Sequence, residues 1–136
     1  MKLFVCLDER NGLLFGGRRQ SSDKVVYRKI SEIVGDEPLW LHPYSQSLFC
    51  DTHTKLRVDA DFAAKALENE WCFYEKCDTP LDLKSVKALY VFRWNRHYPS
   101  DVRFDVEGIC PGLELVRTLE IPGNSHPVIT LEVFEK

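Results

Sequence analysis

Residues Lys2–Leu7 (KLFVCL) form an unbroken apolar run at the start of the chain. A strand with one wet face alternates apolar and polar side chains. A run without alternation is the pattern of a strand buried on both faces. Such a strand belongs inside a sheet covered on both sides, and that ordinarily requires parallel strands connected by helices.

The rest of the chain fits that requirement. A long loop is predicted over residues 8–21, with Asn11-Gly12 and Gly16-Gly17 permitting positive φ. Ser21 or Ser22 is expected to cap a helix reaching Val34, with Asp23 in its first turn, where a carboxylate suits the helix dipole. Val26, Ile30, Ile33 and Val34 recur at helical spacing, Gly35 ends the pattern, and Pro38 blocks its continuation. Short strands are predicted at 39–41, 56–58 and 71–74, a strong one at 88–94 and a brief one at 102–106. A short helix is expected within 44–49, a helix over 60–67 and a weak helical turn at 81–86. Residues 113–121 and 128–135 alternate apolar and polar side chains, and Pro122-Gly123-Asn124 joins them as a closing antiparallel pair. Strands alternating with helices, then a terminal hairpin, predict an α/β fold with a mixed, mostly parallel sheet.

The 136 residues suffice for one domain, residues 1–136, and are too few for two ordinary ones. A net charge of −3 provides no field to recruit nucleic acid or an acidic membrane. The opening apolar run meets Asp8-Glu9-Arg10 too soon for a signal peptide or a spanning helix, so the default location is the cytoplasm. Five scattered cysteines without a C-x-x-C pair read as free thiols, with Cys6 and Cys72 in buried strands and the others near the surface. The four histidines share no ligand spacing, so no metal is expected, and His126 reads as a hairpin residue. Ser31, Ser45 and Ser47 lack a G-x-S-x-G context, which argues against a serine hydrolase.

Four stretches together resemble the dihydrofolate reductase family. Cys6-Leu7-Asp8-Glu9 with Gly12-Leu13-Leu14 is similar to that family's first strand and loop. Ser22-Asp23-Lys24 and then Tyr27 stand where the family begins its helix with an acidic residue. Leu89-Tyr90-Val91 through Asp101-Val102-Arg103-Phe104 follows the family's strand and Gly-Asp-Thr-x-Phe segment, with Ser100 for the glycine. Leu113-Glu114-Leu115-Val116, Asn124-Ser125-His126 and Leu131-Glu132-Val133-Phe134 reproduce its terminal hairpin. The resemblance implies a single-domain, three-layer dihydrofolate reductase-like fold.

What it implies for activity is decided by the departures. The family holds the phosphates of its nicotinamide cofactor on a Gly-Gly after a central strand, where backbone must come close. Here Glu75-Lys76-Cys77-Asp78 follows that strand. The family's second cofactor element, Gly-Arg then Thr, is replaced by His42-Pro43-Tyr44-Ser45, leaving only the Ser45 hydroxyl. The middle of the chain is also shorter by about one strand and its connection, a unit of a dozen or more residues. These changes argue against NADPH binding in the family's manner. On the substrate side the resemblance assigns Asp23 as an acceptor for a ligand's N–H groups, although the partner Thr of the family falls at Phe92. Gly16-Gly17-Arg18-Arg19 reads either as an anion cradle or as a surface loop whose arginines are solvated or paired with Glu9 and Asp8.

The expected function is therefore a non-reductase member of the fold that binds a small or anionic ligand. The cleft would lie between loop 12–20, the helix start and strand 88–94, with Asp23, Arg18, Arg19, Tyr27 and Ser45 as ligand-binding candidates. The alternatives are an NADPH-dependent reductase with an altered cofactor site, and a protein-interaction module using Trp94, Tyr98 and neighbouring aromatics. Composition fixes neither the ligand nor the oligomeric state.

Overall fold

The computed structural model describes residues 1–136, apart from the side chain of Cys110. Ten strands and three short-to-medium α-helices follow one another along the chain. They are β1 (Lys2–Leu7), β2 (Gly12–Phe15), β3 (Arg18–Arg19), α1 (Lys24–Val34), β4 (Pro38–Leu41), β5 (Lys55–Val58), α2 (Phe62–Lys65), β6 (Trp71–Phe73), β7 (Ala88–Arg93), β8 (Val102–Arg103), α3 (Val106–Ile109), β9 (Glu114–Pro122) and β10 (Val128–Glu135). Pro43–Phe49 and Leu83–Ser85 are 3-10 helices.

A seven-stranded sheet runs in the order β5-β4-β6-β1-β7-β10-β9. β1 pairs parallel with β6 and β7, and β4 pairs parallel with β5 and β6. β10 is antiparallel to both β7 and β9. The mixed, mostly parallel sheet closed by an antiparallel hairpin is the architecture expected from the sequence.

The unbroken run of β1 packs on both faces. Phe4 and Cys6 join Val26, Tyr27 and Ile30 of α1, together with Phe49, Phe73, Phe92 and Ile129. Leu3, Val5 and Leu7 join Leu13, Phe62, Val91, Phe104 and Ile109 on the opposite face. Full burial of each of these large side chains contributes about 1.5–3 kcal/mol. The 11-residue α1 is the longest helix, and no helix is long and apolar enough to cross a membrane.

Several local expectations need correction. Residues 8–21 are not a plain loop: they contain β2 and β3, which form a separate three-stranded sheet with β8. The helix expected over 60–67 is a single turn, because Ala66 leaves helical geometry at ψ 136 and Leu67 is exposed. Asp23, not Ser21 or Ser22, is the N-cap of α1, and its side chain accepts from the Val25 amide. β9 does not alternate, since it is exposed along almost its whole length. Cys6 and Cys72 are buried in strands, Cys50 is exposed and Cys77 is half-buried. Cys110, expected near the surface, lies outside the described side chains.

Candidate functional site

In open α/β sheets ligands bind beyond the carboxyl ends of the strands, where the chain's direction of travel across the sheet reverses. Here β1 leads by way of α1 to β4 on one side, whereas β6 leads to β7 on the other side of β1. The side chains just past those strand ends are Asp8 after β1, His42, Tyr44 and Ser45 after β4, and Glu75 and Lys76 after β6. Arg19 of β3 reaches into the same place.

Glu75 is the centre of this group and is only 5% exposed. Arg19 Nε donates to its Oε2 at 2.9 Å and Arg19 Nη2 to its Oε1 at 3.0 Å, a two-pronged charge-assisted contact. Ser45 Oγ donates to Oε1 at 2.7 Å. Arg19 also donates through Nη2 to the Tyr44 carbonyl and through its amide to Tyr44 Oη. Its guanidinium lies 4.4 Å from the Tyr44 ring centroid, and Lys76 Nζ lies 4.0 Å from the same centroid. Burial alone would lower the pKa of Arg19, but the Glu75 carboxylate more than offsets this and holds it above its ordinary value. Beneath the pair, burial pushes the Cys6 thiol and the Tyr27 phenol well up, and the nearby Glu75 charge adds to both. Neither ionises readily, so Cys6 is no nucleophile.

Asp23 is turned away from this group. Its carboxylate is fully buried and faces the loop between β9 and β10. It accepts from the amides of Asn124 at 2.9 Å, Ser125 at 2.9 Å and His126 at 3.2 Å. It further accepts from Ser125 Oγ at 3.2 Å and meets His126 Nδ1 at 3.1 Å. With the Val25 amide added at 3.0 Å, its lone pairs are occupied. Gly123 makes the close approach possible: a Cβ there would stand 2.2 Å from the His126 carbonyl oxygen and 2.9 Å from Asp23 Oδ2. Across the loop, His126 Nε2 meets Ser21 Oγ at 2.9 Å, and the His126 ring stacks on Trp94 with 4.8 Å between centroids.

No family model and no curated protein matches the sequence. Among solved structures, a dihydrofolate reductase from Enterococcus faecalis complexed with NADP(H) and RAB-propyl superposes with a TM-score of 0.63. The match covers 98% of this chain and 94% of that one at 11% identity. The chain has the dihydrofolate reductase fold. At that identity the likeness carries the fold and not the activity.

Within the dihydrofolate reductase fold the five candidate residues separate. Arg19 and Ser45 meet at Glu75. Arg18, beside them in the chain, is exposed. Tyr27 is buried, with its hydroxyl 2.9 Å from Ser22 Oγ. Asp23, expected to face a ligand, is instead saturated by its own hairpin. Arg19 pairs with Glu75 and not with Glu9 or Asp8, because Asp8 is itself buried and held by the amides of Arg10, Gly12 and Tyr98. Trp94 is buried against His126, so it offers no aromatic docking surface.

Three cavities of roughly 240, 380 and 300 Å³ open at the amino ends of the parallel strands, near Val86, Trp71 and Met1, and a fourth, of roughly 310 Å³, lies against α1 at Val25 and Ile121. Among the described residues no three His, Cys, Asp or Glu side chains gather to hold a metal. Glu75 and His126 are the members that sequence reasoning did not assign to a site. Their partners lie 56 and 103 residues away, and no local motif marks either.

Proposed function

We propose that this chain is a non-reductase protein of the dihydrofolate reductase fold, binding a small anionic ligand beyond the carboxyl ends of β4 and β6. The observation that carries the reading is the pair of cations on the Tyr44 ring, Arg19 at 4.4 Å and Lys76 at 4.0 Å. Glu75 neutralises one of them. Among the described residues Lys76 has no carboxylate partner, and Arg18, next to Arg19 in β3, is exposed. The flat ring and paired guanidinium form a rigid floor, and the ammonium supplies the surplus charge. Asp23 has no part in this ligand site, since its acceptors are spent.

The same geometry speaks against an NADPH-dependent reductase. A nicotinamide dinucleotide needs bare backbone at the end of a central strand, and Glu75 and its ion pair fill that position after β6. A protein-interaction role has one feature in its favour, the exposed Leu115, Val116 and Leu119 along the outermost strand β9.

Thermal unfolding with inorganic pyrophosphate, and separately with NADPH, tests the choice. Ligand at 100 times Kd stabilises by about 2.7 kcal/mol. Stabilisation by pyrophosphate that disappears in Lys76→Ala and Arg18→Ala is expected. Stabilisation by NADPH would return the protein to the reductases, and no shift with either would favour the interaction role.

A further inference from the structure

Ser21, His126 and Asp23 lie in a line, although the sequence holds no hydrolase motif. Ser21 precedes α1, Asp23 caps it, and His126 comes from the hairpin loop. Ser21 Oγ is 2.9 Å from His126 Nε2, and His126 Nδ1 is 3.1 Å from Asp23 Oδ2. Tyr98 Oη, from the segment after β7, stands 3.4 Å from Ser21 Oγ and 3.2 Å from Nε2. Asp23 and His126 are buried and Ser21 is half-buried, so the line runs from the interior to the surface.

The hydrogen placement follows from the chemistry of the groups. An ionised carboxylate only accepts, so His126 Nδ1 carries the hydrogen that faces Asp23. In the neutral imidazole Nε2 then carries the lone pair and accepts from the Ser21 hydroxyl. The Tyr98 hydroxyl in turn donates to Ser21 Oγ. The Trp94 ring against His126 and the Asp23 contacts fix the imidazole in orientation. An acyl-transfer nucleophile needs this arrangement: an alcohol in contact with a base, and the base oriented by a third group.

We propose that Ser21, His126 and Asp23 are a nucleophile, base and positioning carboxylate for hydrolysis of small carboxylic esters, with Tyr98 donating to the developing oxyanion. Ser21 Oγ bonds to the acyl carbon as its proton passes to His126 Nε2 and the carbonyl π pair moves onto oxygen, facing Tyr98. The tetrahedral adduct collapses, the bond to the leaving oxygen breaks, and the Nε2 proton goes to the departing alcohol. Water then adds to the acyl-serine, giving its proton to Nε2. Collapse releases the carboxylic acid, and Ser21 regains its proton from Nε2. Ester and water are consumed, acid and alcohol are produced, and no other reactant is needed. This site is separate from the anion site at Tyr44, and either can fail without the other.

The test is treatment of the folded protein with an alkyl fluorophosphonate, read by intact mass and peptide mapping, alongside hydrolysis of p-nitrophenyl acetate. A single adduct on Ser21 is expected, absent in Ser21→Ala, which loses only a half-buried hydroxyl and keeps its melting temperature. His126→Gln should slow ester hydrolysis at least ~100-fold, the usual contribution of a positioned base. Tyr98→Phe, which keeps the ring and its packing, should slow it ~10-fold or more and covers the case in which His126→Gln does not fold. No adduct under conditions that label a control esterase overturns the proposal, and so does ester hydrolysis that persists unchanged in Ser21→Ala. The cluster is then only a staple between hairpin and helix.

Discussion

Asp23 Oδ2 meets His126 twice, at 3.2 Å from its backbone nitrogen and 3.1 Å from Nδ1, across 103 residues of chain. One carboxylate thereby caps the first long helix and ties down the loop of the last hairpin.

Asp23→Asn should therefore be a stability mutation. It replaces a buried anion that only accepts by an amide whose N–H₂ would face the amides of Asn124 and Ser125. Loss of charge-assisted bonds together with unsatisfied buried donors costs about 2–4 kcal/mol. Urea unfolding is expected to show that loss. A midpoint equal to wild type would mean that the loop amides find other partners.

Acid should act through the same residue. Burial by itself would raise the Asp23 pKa, but the bond from His126 and the amides of Val25, Asn124 and Ser125 hold it well below the usual carboxylate range. Asp8 is also lowered, its burial outweighed by the amides of Gly12, Arg10 and Tyr98 and by Gln20. Unfolded carboxyls bind protons near pH ~3.9, before these folded ones do. The stability they contribute is complete at neutral pH and is lost as pH falls below about 5. Melting temperature should drop steeply between about pH 5 and 3. In Asp23→Asn it should start lower and fall less over the same range.

Much of the architecture can be read in the residues, for reasons that differ by element. β1 was legible because a run without polar interruption fits only a two-sided core. The hairpin is legible because Ile129, Leu131 and Val133 of β10 recur at every second position and Pro122-Gly123 breaks the chain between the strands. α1 was placed correctly to within its cap. The cap itself is not legible, because serine and aspartate serve equally well there and the partners that decide are at 124–126. The partners of Asp23 are hidden for the same reason: nothing near residue 23 announces that the amides of residues 124–126 donate to it. The Arg19–Glu75 pair was hidden likewise, since two single charges 56 residues apart have no pattern. The helix expected over 60–67 had helical spacing at Ala63, Ala64 and Leu67, yet Phe62 is its one buried residue, too little to hold more than a turn.

The outermost strand offers a simple check on solution behaviour. β9 pairs only with β10 and leaves Leu115, Val116 and Leu119 exposed. The register shifts between Val133 and Phe134, so Val116 is the extra residue of a bulge. A lysine there places charge on an open edge without removing a packed side chain. Val116→Lys should raise the solubility limit measured by light scattering while changing unfolding free energy by no more than about 0.5 kcal/mol.

β10 follows β9 along the chain and yet sits inside the sheet, between β7 and β9. During synthesis the sheet can close only after β10 has emerged, and until then the anion at position 23 lacks the amides of Asn124, Ser125 and His126. The domain therefore cannot mature from front to back. Its first helix becomes secure only when β10 slides home, and a nascent chain lacking β10 would present an open sheet to the chaperones and proteases of the cell.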